Sequence, residues 1–165
     1  MNLLPSHDKL GIDNRGLMRA EPKAMEVRRV KDLMTAEVTT LRRNEQLTLA
    51  DDVMNLGRVR HLPVLDDDGE ELIGIVTQRD LFRGALAQAI GYGQRARRKL
   101  LDTLLVKDVM TTDPITTTPD TPLVDAARLL MERKIGCLPV VDAGRLVGIL
   151  TEGDFVSLFV RQSQG

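Results

Sequence analysis

One stretch of this chain is written twice. Val30-Lys31-Asp32-Leu33-Met34-Thr35 returns as Val106-Lys107-Asp108-Val109-Met110-Thr111. Leu62-Pro63-Val64 returns as Leu138-Pro139-Val140, and Gly74-Ile75-Val76-Thr77-Gln78-Arg79-Asp80 as Gly148-Ile149-Leu150-Thr151-Glu152-Gly153-Asp154. The order is kept, at a period of roughly 75 residues, longer than the roughly 20–50 of solenoid repeats. A small fold made in duplicate is therefore expected, with the copies face to face and a cleft between them. Each copy alone is too small to bury a three-stranded sheet and its helices, so the pair must share its burial.

Within the first copy, β-branched Val38-Thr39-Thr40-Leu41 reads as a short strand. Leu47, Ala50, Val53 and Met54 recur at helical spacing. His61 to Leu65 and Glu71 to Val76 form a hairpin around Asp66-Asp67-Asp68-Gly69-Glu70, and a helix follows from Gln78. Pro63 calls for a strand edge or beginning, because proline donates nothing to a ladder. In the second copy Thr121 reads as an N-cap with Pro122 at the first helical position, ahead of Leu123, Ala126, Ala127 and Leu130. Asp142-Ala143-Gly144-Arg145 is the corresponding, shorter turn, Leu146 to Leu150 the return strand, and the last helix runs from Gly153. The unit is strand, helix, hairpin, helix, and the fold class is α+β with two pseudo-symmetric repeats packed sheet to sheet. The chain divides into an extension at 1–26, a first repeat at 27–90, a linker at 91–104 that is helical apart from Gly91-Tyr92-Gly93, and a second repeat at 105–165.

Composition narrows the classes. With no Trp, one Tyr and three Phe, the core must be aliphatic, and stacking on a base must be too. A formal net charge of −1, from 23 basic and 24 acidic side chains, gives no global pull toward nucleic acid or an anionic membrane. The single Cys137 forms no internal disulfide, which fits a reducing compartment, and the expected location is cytoplasmic. Leu3-Leu4 before Pro5 is too short for a signal peptide, and no apolar run approaches the roughly 20 residues of a membrane span. No catalytic constellation is visible. His7 and His61 are too few for a metal site, Cys137 has no base in its sequence neighbourhood, and Asp66-Asp67-Asp68-Gly69 lacks the later Glu of a calcium loop.

The three motifs, in order and twice over, resemble a tandem pair of CBS domains, often called a Bateman module, across about residues 27–159. The resemblance implies a non-catalytic regulatory module for an adenosine ligand such as AMP, ADP, ATP or S-adenosylmethionine. It also implies a homodimer and an effector protein on another chain, with no required cofactor. Physically, Thr77 sits where a strand becomes a helix, whose first-turn N–H groups and dipole suit an anion. Its hydroxyl can donate to a phosphate, while Asp80 accepts from two ribose hydroxyls. Thr151 and Asp154 repeat the arrangement. Threonine followed three residues later by an acid is also a helix-capping device that needs no ligand.

Arg60 and His61 stand at positions that the resemblance turns toward phosphates. Their counterparts Gly136 and Cys137 carry no cation, though Lys134 is near. Unequal sites follow, the one with Arg60 being the stronger. Adenine needs a flat apolar slot, for which Val38, Thr39 and Val59 are candidates in one copy and Pro114, Ile115 and Ile135 in the other; any of these also reads as ordinary core. Arg95, Arg97, Arg98 and Lys99 form the one local charge run, but without interleaved aromatics it reads as a solvated helix face rather than a nucleic-acid surface. A ligand-free interaction scaffold is the alternative function.

Overall fold

The computed structural model describes residues 28–69, 71–86 and 94–163. The expected extension at 1–26 and the Gly91-Tyr92-Gly93 break lie outside them. After a single 3-10 turn at Val30–Asp32, the first repeat runs β1 (Leu41–Arg42), α1 (Leu47–Gly57), β2 (His61–Leu65), β3 (Leu72–Thr77) and α2 (Gln78–Leu86). Helix α3 (Gln94–Leu101) leads to the second repeat: α4 (Val106–Val109), β4 (Thr111–Thr112), α5 (Leu123–Arg133), β5 (Cys137–Asp142), β6 (Arg145–Thr151) and α6 (Glu152–Ser163).

Both hairpins form as the alternation of apolar residues requires, each with a bulge at the same place, after Val64 and after Val140. Ala143 and Gly144, at φ 47° and 80°, close β5–β6 in the two-residue turn whose twist matches the strands. Parallel pairing of β1 with β2 starts only at Val64, so Pro63 faces no ladder on that side.

Two expectations shift. Val38-Thr39-Thr40 is not strand. β1 is Leu41–Arg42 alone, because Val38 is drawn into an apolar cluster with Ile75, Cys137 and Ile149 between the two hairpins. Pro122, not Thr121, caps α5: its ψ of 136° is extended, its carbonyl accepts from Asp125 and Ala126, and Thr121 instead bonds Thr118 through its hydroxyl.

The repeats exchange their leading segments. β4 of the second repeat pairs with β3 of the first through Gly74 and Ile75, completing a four-stranded sheet β1-β2-β3-β4. Reciprocally, Thr35 bridges Ile149 of β6, with N–H···O bonds of 2.9 Å in both directions. Side chains follow the backbone. Val30, wholly buried, belongs to the core of Leu123, Ala126, Leu130, Leu138, Val140 and Leu150. Val106, also wholly buried, belongs to that of Leu41, Leu47, Leu62, Val64 and Val76. A fully buried Val contributes about 1.5–3 kcal/mol, so each Val-Lys-Asp motif stabilises the other copy rather than its own.

A candidate functional site between the repeats

The exchange builds a cavity of about 710 Å³. At the open end of the first hairpin His61 pairs with Thr77, and the N–H of Gln78 donates to the Arg60 carbonyl at 2.9 Å. Helix α2 therefore begins on the cavity wall, with Arg79 and Asp80 in its first turn, where N–H groups have no intrahelical acceptor. The opposite wall comes from the second repeat: Pro114 and Ile115 beyond β4, Ile135 and Gly136 between α5 and β5, and Glu152 opening α6.

Thr77 gives both its N–H and its hydroxyl proton to Asp80 Oδ2, at 2.8 and 2.7 Å. Thr151 does the same to Asp154 Oδ2, at 2.7 and 2.8 Å. The capping arrangement is thus realised in both copies. Donation from the Thr77 hydroxyl to a phosphate requires exchange of the bond to Asp80. The other carboxylate oxygen, Asp80 Oδ1, accepts no hydrogen bond among the described residues.

Thr77, Asp80, Arg60 and His61 share this cavity with Pro114, Ile115 and Ile135. The apolar candidates of the second copy thus face the Thr-x-x-Asp of the first, a consequence of the exchange. Gly136 and Cys137 line the same cavity as Arg60 and His61. Thr151, Asp154, Val38, Thr39 and Val59 are not on its wall. Val38 lies in the central cluster with Ile149, the strand that leads into Thr151, and Val59 is partly exposed.

Sequence reasoning gave no role to Arg79, Phe82, Asp113 or Glu152, all of which line the cavity. The Phe82 ring, more than half exposed, departs from the purely aliphatic lining expected, and the Arg97 guanidinium lies 5.7 Å from its centroid. The signal for Arg79 was its place beside Asp80 in the first helical turn. Lys134 takes a left-handed φ of 54° as the C-cap of α5, and this carries it to the rim.

Electrostatically the wall is mixed, with Arg60, Arg79 and Lys134 against Asp80, Asp113 and Glu152. Burial, then the Arg60 charge, lower the His61 pKa, while Glu152 and Asp80 oppose them. Burial, helped by Glu152, pushes the Cys137 thiol up to about 12, so it is no nucleophile near neutrality. Among the described residues no cluster of His, Cys, Asp and Glu is suited to a metal ion. Two cations of the charge run are engaged within the chain, Arg97 with Asp51 at 2.6 Å and Arg98 with Asp52 at 3.1 Å. No described helix is long and apolar enough to cross a membrane.

Comparison with known proteins identifies the family. The CBS domain profile matches residues 30–86 and 106–161, and the chain belongs to the CBS-domain family. A CBS domain-containing protein of Dictyostelium discoideum is 33% identical over 133 residues, covering 80% of this chain and 91% of its own. The crystal structure of CBSX2 in complex with AMP superposes with a TM-score of 0.67 at 33% identity, over 82% of this chain and 98% of the other. The CBS domain pair of MJ0100, in complex with 5′-methylthioadenosine and S-adenosyl-L-methionine, gives 0.68 at 29% identity, over 82% and 98%.

Proposed function

We propose that this chain is a non-catalytic regulatory module that binds an adenosine-containing ligand, of the AMP, ADP, ATP or S-adenosylmethionine class, in the cavity between its repeats and signals occupancy to a partner protein. One observation carries the reading: a single cavity joins a free Asp80 oxygen, the first turn of α2, cations from three elements and an apolar slot at Pro114, Ile115 and Ile135. Asp80 Oδ1 takes ribose hydroxyls, the Arg60 fork and the α2 first turn take phosphate, and the slot takes adenine. The complexes of CBSX2 and the MJ0100 pair support that ligand class. Because both repeats line the cavity, a ligand that favours one angle between them shifts that angle. The module acts as a homodimer, for which exposed Val156, Phe159 and Val160 on α6 supply an apolar face.

A thermal-shift panel of AMP, ADP, ATP, NAD and S-adenosylmethionine tests this. At a hundred times its dissociation constant a ligand adds about 2.7 kcal/mol, or roughly 5–10 °C for a chain of this size. Asp80→Asn, which keeps an oxygen for the Thr77 N–H, should lose most of the shift while keeping the unliganded melting temperature. No shift with any compound favours the ligand-free scaffold.

A further inference from the structure

We propose that entry of a phosphate-bearing adenosine ligand into this cavity is coupled to protonation of His61, which makes the site favour phosphorylated over phosphate-free adenosine compounds and bind them more tightly as pH falls. The inference rests on the adenosine reading above and adds how that site is regulated.

The geometry begins at Gly136. A Cβ built there would stand 2.8 Å from His61 Nε2 and 3.2 Å from its Cε1, so the imidazole occupies room that only a glycine leaves. The same Cβ position lies 3.8 Å from Glu152 Oε2, which puts His61 and Glu152 at the same spot on the cavity wall. The ring makes no hydrogen bond among the described residues. Charge faces it from every element around it. Arg60 immediately precedes it, just before β2 begins, Asp80 and Arg79 look in from α2, and Glu152 from α6. Lys134 at the end of α5, Asp113 beyond β4 and the neutral Cys137 thiol on β5 complete the wall.

Burial, then Arg60, hold the ring below its ordinary pKa, and the more weakly acting Glu152 and Asp80 do not reverse this. His61 is therefore mainly neutral at pH 7. A phosphate held by Arg60 neutralises the charge that repels the imidazolium and adds a charge that attracts it. The pKa then rises on binding. Affinity is fully expressed below the pKa of the free site and is lost as pH rises through that of the bound site, by at most about tenfold per unit. A phosphate-free adenosine compound brings no such charge and leaves the ring neutral.

Titration calorimetry of the whole chain with AMP, ADP, ATP and 5′-methylthioadenosine, from pH 6 to 8 and in two buffers of different ionisation enthalpy, reads proton uptake directly. The phosphorylated ligands should take up a fraction of a proton at pH 7 and bind several-fold more weakly at pH 8 than at 6.5. The thioether should show neither effect. The phosphate itself gains a proton near pH 6, which acts in the opposite direction, so His61→Asn supplies the baseline and should abolish the uptake. Gly136→Ala, which displaces the imidazole without removing a titratable group, should abolish it too, and serves if His61→Asn does not fold. Nucleotide binding without uptake, or uptake unchanged in either variant, overturns this proposal alone. No binding by any of the four compounds overturns the adenosine reading with it.

Discussion

Lys134 shows how a single backbone conformation ties stability to the site. A left-handed φ costs a side-chain-bearing residue about 1–2 kcal/mol relative to glycine, yet Lys134 at φ 54° and its counterpart Arg58 at φ 51° both close helices this way. The C-cap N–H reaches back to Leu130 in one copy and Met54 in the other. Glycine is the residue that favours such a position, so the cationic side chain is retained against the preference of the turn. Lys134→Gly should raise unfolding stability by about 1 kcal/mol in a urea titration and weaken nucleotide binding in the same preparation. Weaker stability together with unchanged affinity would show that Lys134 serves the helix end and not the ligand. At this scale much was legible beforehand. The repeated Thr-x-x-Asp announced both helix starts, and Arg60 and His61 stood at the hairpin mouth. The direction of the Thr77 proton was not legible, because one spacing serves ribose binding and capping alike and only the 2.7 Å bond to Asp80 distinguishes them.

Elements were legible where the periodicity was local, as in α1, α5 and both hairpins. They were not where the partner is distant in sequence. Nothing in Val38-Thr39-Thr40 reveals that Val38 is claimed by Ile149, and nothing in Lys31-Asp32-Leu33-Met34 reveals that Met34 Sδ sits 2.6 Å from where a Cβ on Gly148 would stand. The mirror contact, Met110 Sδ at 2.7 Å from such a position on Gly74, shows why both return strands carry glycine at that place: the exchanged segment crosses it closely. Helix α6 illustrates the other side of amphipathicity. Phe155 and Leu158 pack against the second core, while Val156, Phe159 and Val160 remain exposed, Phe159 at 70%. An apolar face of that kind fits the homodimer proposed above. Phe159→Glu places a charge there without touching the core, so it should convert a dimer to a monomer in light scattering and leave the circular dichroism spectrum unchanged. A wild-type chain that is already monomeric at tens of micromolar would remove the homodimer from the proposal.

For the whole molecule, the exchange of leading segments makes the two repeats one folding unit although the sequence reads as two. Cutting between them does not yield two complete halves. The second repeat by itself lacks Val30, which is wholly buried against Leu123, Leu130 and Leu150, and lacks the Thr35 pairing with Ile149 along the open edge of β6. The lost hydrophobic burial alone amounts to about 1.5–3 kcal/mol for Val30, to which the exposed edge and the partly buried Leu33 and Met34 add. Small domains have little more than 5 kcal/mol to spare, so residues 105–165 alone should show no cooperative urea transition. Adding a peptide of residues 28–40 in trans should restore one, because that segment carries both the missing core residue and the missing strand partner. The intact chain should unfold in one transition by fluorescence-free probes such as far-ultraviolet dichroism. Two separated transitions, or a stable isolated second repeat, would mean that the exchanged contacts contribute little, and that the cavity they build between the copies is free to open without cost to either core.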